Sequence, residues 1–380
     1  MVSMRFVSII SKFAVVALLT IVSLQAFAGC EKLESLKLDN SWLASSDIEK
    51  RMQQLDIPGM SIAVIDNFVV ECIKHYGVKV YGSSEPVDDN TLFQLASISK
   101  PVSGLITIRL VEQGKLSLED TVNSKIKGWA VRDTTGANRD DIQVQHLLTH
   151  TAGLTVHGFP GYTAGDKIPS VVEILNGASP ANTARVEVAH PVTTLPKYSG
   201  GGTTVLQLLL QQVTGKSFEA LADELVIKPL GLKNSSFSQP ISPSKAKFAA
   251  HGFSDLLKVS KEPYHIYPEQ AAAGLWSSAK EFAQVIIEMQ KALKDDSSSF
   301  ISQMIAKRML QRVGKTDFAL GFMFDGLYFV HGGWNEGYSS RFIAHHKNGY
   351  AMVILTNANN PDIIKEILMS YGASNGWEDF

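Results

Sequence analysis

Leu95-Ala96-Ser97-Ile98-Ser99-Lys100-Pro101 decides how this 380-residue chain is read. The stretch lies where a strand-like run gives way to a helical one, and it carries Ser-x-x-Lys at Ser97 and Lys100. On a helix, residues three apart share a face about one turn apart, so the Lys100 ammonium can reach back to the Ser97 hydroxyl. A free serine hydroxyl is a poor nucleophile, and an amine becomes a useful base only when burial or a neighbouring cation lowers its pKa. That environment has to come from elsewhere in the chain. As a bare pattern Ser-x-x-Lys recurs by chance, so later segments must support it.

Two later segments do. Lys197-Tyr198-Ser199-Gly200-Gly201-Gly202 puts a tyrosine before three glycines, and an amphipathic helix opens at Val205. Glycines there permit left-handed backbone angles and close approach by another segment or a substrate. Tyr328-Phe329-Val330-His331-Gly332-Gly333-Trp334 is an apolar strand ending in His-Gly-Gly. Glycine within a strand marks a bulge or a ligand lying against the backbone. Taken singly, the first segment also reads as a glycine-rich loop with a surface tyrosine, and the second as a hairpin with a surface histidine.

The order Ser-x-x-Lys, Tyr-x-Gly, His-x-Gly resembles the serine β-lactamase and penicillin-binding-protein superfamily, in its class C-related branch, which also holds esterases and D-amino-acid peptidases. The resemblance covers nearly the whole chain after the leader. Ile57 to Val64 is similar to the family's first core strand, and Leu110 to Asp120 to the end of its nucleophile helix. Gln145-His146-Leu147-Leu148-Thr149-His150-Thr151-Ala152-Gly153-Leu154, Ala273-Gly274-Leu275-Trp276-Ser277-Ser278 and Tyr371-Gly372 are also similar to family segments.

The resemblance implies an α/β (α+β) fold of the β-lactamase/transpeptidase type, an antiparallel sheet flanked by helices with an inserted, mainly helical region. It implies Ser97 as the nucleophile of an acyl-enzyme, with Lys100 and Tyr198 sharing the proton traffic. A phenol titrates near pH 10, so Tyr198 can act as a base only where cations such as Lys100 favour the phenolate. The oxyanion is expected between the N–H groups of Ser97 and Trp334, with His331, Gly333 and Gly200 on the substrate. Gly200 stands where β-lactamases of this type carry the Asn of Tyr-x-Asn, and His331-Gly332-Gly333 stands for Lys-Thr-Gly. Both departures remove substrate contacts, since a largely neutral imidazole anchors a carboxylate less well than lysine. They favour ester or small-amide hydrolysis over efficient β-lactam turnover. The alternatives are a β-lactamase, a penicillin-binding D,D-peptidase, or a non-catalytic binder of cell-wall peptides.

No G-x-S-x-G elbow, H-E-x-x-H or clustered Cys/His set appears in the sequence, so no metal or other cofactor is implied. His345-His346 reads as a polar strand end, His150 as a hydrogen-bonded structural residue, and His157 is undetermined. With 35 Lys+Arg against 37 Asp+Glu, dispersed along the chain, there is no footprint for nucleic acid. The expected partner is a small ester, amide or peptide.

Arg5 and Lys12 precede an apolar run from Phe13 to Leu24, and Ala26-Phe27-Ala28 offers a small-x-small cleavage step. Residues 1–28 therefore read as a secretory signal, and the protein as exported to the periplasm or beyond. Phe27-Ala28-Gly29-Cys30 also resembles a lipoprotein box with phenylalanine in place of the usual leucine, and lipidation of Cys30 would tie the chain to a membrane. Otherwise Cys72 is the only possible intramolecular partner of Cys30, and a buried unpaired thiol at Cys72 is the other reading.

In the remainder, 29–380, the α/β part is expected at about 40–124 and 301–380 and the helical insertion at about 125–300. Residues 45–56 read as a helix, and Ser61 to Ile65 and Phe68 to His75 as a hairpin turning at Asp66-Asn67. Strands return at Phe318 to Phe324, Leu327 to Val330, Arg341 to His345 and Ala351 to Thr356, before a helix from Pro361 to Tyr371. The loop from Gly158 to Pro196 is expected to shape substrate access.

Overall fold

Ala351-Met352-Val353-Ile354-Leu355-Thr356 is buried along its whole length, as a strand covered on both faces must be. In the computed structural model, which describes residues 30–40, 43–192, 195–295 and 300–380, this strand lies inside a six-stranded antiparallel sheet. The expected leader, its cleavage step and residues 27–29 of the lipoprotein-like box lie outside the described residues.

The chain enters through a small hairpin, β1 (Leu38–Asn40) and β2 (Leu43–Ser46), and helix α1 (Ile48–Gln54). The expected helix is shortened because Ser46 belongs to β2 and Asp47 caps α1, accepting from the Lys50 N–H at 2.8 Å. Strands β3 (Gly59–Asp66) and β4 (Val69–Gly77) form the expected hairpin, but its central residues are Asn67 and Phe68, one further on. Both have positive φ, 49° and 63°, as a two-residue turn of the mirror-image type requires. A phenylalanine pays a steric cost there. Its N–H donates to Gly349 O at 3.0 Å, and the Lys294 ammonium lies 4.3 Å over its ring.

Next come β5 (Phe93–Ala96) and helix α2 (Ser99–Glu112), then a long, mainly helical region that includes α3 (Gly200–Thr214) and α4 (Gln270–Ala273). Strand β6 (Leu275–Ser277) returns to pair with β5, and helix α5 (Ala279–Leu293) crosses the sheet. The chain closes with β7 (Met323–Asp325), β8 (Tyr328–Asn335), β9 (Tyr338–His345), β10 (Ala351–Thr356) and α6 (Pro361–Ser374). The sheet order is β4-β3-β10-β9-β8-β7, so the two ends of the chain build one sheet, as expected.

Alternation along the central strands feeds two cores. Ala63, Ile65, Val353 and Leu355 face α5 and the helical region, while Ile62, Val64, Met352 and Ile354 face α1 and α6. Each such fully buried aliphatic side chain contributes roughly 1.5–3 kcal/mol. The first core runs without a break from the sheet to Leu206 and Leu209 of α3, joining the two regions.

The boundary between them differs from the sequence reading. Helix α2 packs on α4 with the helical region, and α5 packs on β3, β4 and β10 with the sheet. Residues 318–322 also leave the sheet. The Leu320 and Gly321 N–H groups donate to Met309 O and Leu148 O, and a Cβ on Gly321 would meet Lys100 O at 2.7 Å, so this segment packs beneath α2. Strand β8 runs five residues further than the pattern of apolar side chains suggests, straight through His331-Gly332-Gly333 to Asn335.

Cys30 and Cys72 form a disulfide with their Cα atoms 5.3 Å apart, which leaves neither thiol free. Cysteine-specific alkylation without reductant should leave both unmodified, and Cys72→Ser should lower stability by about 2–4 kcal/mol in denaturant unfolding. Full labelling of native protein would contradict the bond.

Candidate active site

Ala96, the last residue of β5, has φ 50°, a left-handed conformation that turns the chain sharply before α2. Ser97 occupies that turn, and its carbonyl accepts from the Lys100 N–H at 3.0 Å, so the Ser-x-x-Lys spacing is realised as one tight turn. Lys100 Nζ donates to Ser97 Oγ at 3.0 Å and to Ala272 O at 2.9 Å, with the residue only 3% exposed. Two further serines of α2 hold the same helix to the α4 region. Ser99 Oγ accepts from the Leu275 N–H at 2.9 Å, and Ser103 Oγ donates to Ala271 O at 2.7 Å.

Tyr198 enters at the start of α3. Ser199 caps this helix, accepting from the Gly202 N–H at 2.9 Å while donating to Thr155 O at 2.6 Å. The three glycines are helical, not left-handed, and close approach explains Gly200 and Gly201. A Cβ would meet the Phe159 ring at 2.8 Å from Gly200 and Thr155 O at 2.8 Å from Gly201. The Tyr198 ring is stacked on His150, with centroids 4.4 Å apart, and Lys100 Nζ lies 5.0 Å from its centre. His150 Nδ1 accepts from the Ser199 N–H at 3.1 Å, the structural role expected of it. His157, left undetermined by sequence, is exposed, with its ring 4.9 Å from that of Tyr198.

Strand β8 supplies the opposite wall. A Cβ on Gly333 would stand 2.1 Å from Leu95 O and 2.5 Å from Ser340 Oγ, so only glycine lets β8 lie this close to β5. Ser340 Oγ donates to the same Leu95 carbonyl at 2.9 Å, and Asn335 Nδ2 donates to Gln94 Oε1 at 2.7 Å. Neither Ser340 nor Asn335 was singled out from sequence, where each is one more polar residue in a strand. The β8–β9 hairpin closes on Asn335↔Tyr338 across a two-residue turn. Alternation from a hydrogen-bonded closing pair directs the Trp334 and Gly332 backbone groups away from β9. Beyond Val330 no β7 residue pairs with β8, so these groups face the cleft.

His331 is 3% exposed and its Nδ1 lies 2.7 Å from Gly332 O, an acceptor, which fixes the proton on Nδ1. Burial, and then the Lys100 charge, bring its pKa down to about 3, with Arg341 adding to the effect. Burial and Lys100 likewise hold His150 well below the usual imidazole range. Both rings are therefore neutral at physiological pH.

Ser97, Tyr198, His331, Gly333 and Trp334 line one cavity of about 1110 Å³, with His157 and, from the expected access loop, Phe159 and Pro160 also lining it. Lys100 lies beneath it. Gly200, expected on the substrate, is buried behind Tyr198 and does not line the cavity, because Phe159 and the His157 carbonyl cover it.

This fold is that of the β-lactamase and penicillin-binding-protein superfamily of serine hydrolases. The Beta-lactamase family profile matches residues 44–366, and the chain belongs to that family. It is similar to Protein flp of Staphylococcus aureus, 26% identical over 326 residues, covering 84% of this chain and 63% of that protein. It is also similar to a β-lactamase of Pseudomonas fluorescens, 31% identical over 201 residues, covering 52% of this chain and 51% of that one. The chain thus spans about 63% or less of the length of these curated relatives. Among solved structures, the octameric penicillin-binding protein homologue from Pyrococcus abyssi superposes with a TM-score of 0.68 at 22% identity, covering 86% of this chain and 75% of that one. The β-lactamase/D-alanine carboxypeptidase from Yersinia pestis, complexed with citrate, gives 0.65 at 18% identity, covering 85% and 98%. These structural likenesses concern the fold.

Gly333→Ala should separate β8 from β5, lowering the melting temperature and cutting turnover by on the order of 100-fold. Gly332→Ala, whose Cβ would meet nothing closer than Ser340 O at 3.7 Å, should leave the melting temperature unchanged. Equal melting temperatures for both variants would contradict the close approach. The buried histidines predict acid sensitivity. His331 has a lowered folded-state pKa, so its contribution is complete above about pH 6.5 and is lost as pH falls towards 3. Each pH unit in that window costs about 1.4 kcal/mol for His331. Denaturant unfolding between pH 7 and 4 should show this slope, reduced in His331→Gln.

Proposed function

We propose that this protein is an exported serine hydrolase that cleaves ester or small amide substrates through an acyl-enzyme on Ser97. The observation that carries the reading is the 3.0 Å contact between Lys100 Nζ and Ser97 Oγ, with the Tyr198 ring beside the same ammonium. Lys100 donates to Ser97 Oγ, so the serine's own hydrogen is free to point elsewhere, and Tyr198 is the basic group on the open side. The role requires Tyr198 in its phenolate form, and the Lys100 ammonium lies 5.0 Å from its ring centre.

In the first step Tyr198 accepts the Ser97 proton as Oγ attacks the carbonyl carbon. The oxyanion is held by the Ser97 and Trp334 N–H groups, and donors of this kind commonly account for about 3–4 kcal/mol each. Tyr198 then passes the proton to the leaving group. In the second step it takes a proton from water as the water oxygen attacks the acyl carbonyl, and returns that proton to Ser97 Oγ as the C–Oγ bond breaks. The Nε2 of His331, unprotonated, can accept a hydrogen bond from substrate or water but offers no charge to a carboxylate.

Two features support ester or simple amide substrates over β-lactams. Neutral His331 replaces a cationic anchor, and the space over Gly200 is filled by Phe159, leaving no room for a side-chain amide there. Export is supported by the Cys30–Cys72 disulfide, since such bonds persist in oxidising compartments. A Cys30 sulfur held in that bond cannot also carry a thioether lipid, which favours a released protein over an anchored one.

p-Nitrophenyl butyrate hydrolysis should be measurable and should fall at least 1,000-fold in Ser97→Ala, with Lys100→Ala and Tyr198→Phe each slowing acylation. Full activity in Ser97→Ala would sink the reading. No ester turnover, combined with slow acylation by benzylpenicillin, would shift the assignment to a penicillin-binding role.

A further inference from the structure

The cavity that contains Ser97 does not end at strand β8. It passes the free edge of that strand and continues along the outer face of the sheet, where Val330, Ile343, Ile364, Leu368 and Met369 line it. Gly332 is the point of passage. Val330, Gly332 and Trp334 alternate onto the outer face, and a Cβ on Gly332 would find open space, with only Ser340 O within 4 Å. The short strand β7 stops pairing at Val330, so nothing of the sheet closes the edge at Gly332.

We propose that this outer arm is a subsite for the apolar acyl chain of the substrate, entered over Gly332. The inference rests on the serine-hydrolase reading above and adds the substrate class. At about 1110 Å³ the whole cavity exceeds the roughly 300–1,000 Å³ usual for small-molecule sites, far more than a short acyl group needs. Its rim carries exposed apolar side chains, Trp334 at 64% and Met369 at 49% exposure, where solvent contact is unfavourable unless something covers them.

Direction follows from proton transfer. The leaving group receives its proton from Tyr198 and so lies on the Tyr198 side, which opens to solvent past His157. The acyl remainder stays bonded to Ser97 on the β8 side. Charge separates an apolar chain from an acidic one. The lining holds four carboxylates, Asp325, Glu336, Asp362 and Asp379, against two cations, Arg341 and Lys365. Arg341 is also engaged by Asp325 at 3.4 Å. That balance disfavours a chain with an anionic end.

Burial of a methylene is worth up to about fourfold in kcat/KM. The protein should therefore prefer p-nitrophenyl octanoate to the acetate by at least tenfold. Met369→Asp, on the rim, and Leu368→Trp, filling the floor, should each reduce that preference at least fivefold and leave acetate hydrolysis within twofold. Retained acetate turnover and an unchanged melting temperature show that the variants fold. Equal kcat/KM for the two esters, or a preference that neither variant alters, would overturn the subsite.

Modification of Ser97 by ethyl and octyl fluorophosphonates, read by peptide mass, separates the two readings. It forms an Oγ–P bond and expels fluoride, so it needs no turnover. No labelling by either probe would sink the hydrolase reading. Labelling at equal rates would sink the acyl arm alone. Faster labelling by the octyl probe, lost in Met369→Asp, would support the arm even without ester turnover.

Discussion

The contact of β8 with β5 at Gly333 and Leu95 is the constraint on which the rest of the site depends. Leu95 lies two residues before Ser97, and Trp334 is the residue after Gly333, so one backbone contact sets the distance between the proposed nucleophile and the second donor proposed for the oxyanion. Ser340 reinforces it from the neighbouring strand by donating to the Leu95 carbonyl. The two strands belong to different sheets and are far apart in sequence, yet they are held with backbone precision. Positioning at this level is what converts ordinary N–H groups into oriented donors for a developing charge.

Electrostatics at the site are organised around one buried cation. Lys100 is enclosed by the Ser97 hydroxyl, the Ala272 carbonyl and the face of Tyr198, and its charge helps to keep His150 and His331 neutral. Each imidazole then has a fixed tautomer set by a backbone group: His150 accepts from the Ser199 N–H, and His331 donates to Gly332 O. Neutral neighbours leave the field of Lys100 directed at Ser97 and Tyr198.

Much of this was legible in the sequence because it depends on local pattern. The apolar runs of β3 and β10 specify strands covered on both faces, and Ser-x-x-Lys specifies a turn of helix. What was not legible depends on contacts between distant segments. Residues 318–322 have strand-like composition, yet they pack beneath α2 because Gly321 fits against the Lys100 carbonyl. The glycines after Tyr198 looked like turn formers, and they are instead helical residues, Gly200 and Gly201 being pressed by Phe159, Thr155 and Val186. Gly200 matched a family position by alignment of motifs, but only the fold shows Phe159 covering it. Asn335 and Ser340 carry no sequence signal at all, since their partners are the side chain of Gln94 and the backbone of Leu95.

The Cys30–Cys72 bond has a consequence for the exposed margin of the sheet. Strand β4 is a terminal strand, and its outer backbone groups could template pairing with another chain. The disulfide fastens the helical turn at residues 30–34 to the middle of that strand, and Lys74 of β4 pairs with Glu34 of the turn. At the far margin, β7 is only three residues long. One margin is thus guarded by a covalent tether with charged side chains, while at the other β7 covers β8 only as far as Val330. Because the tether forms only under oxidising conditions, the β4 border has its guard only in such a compartment.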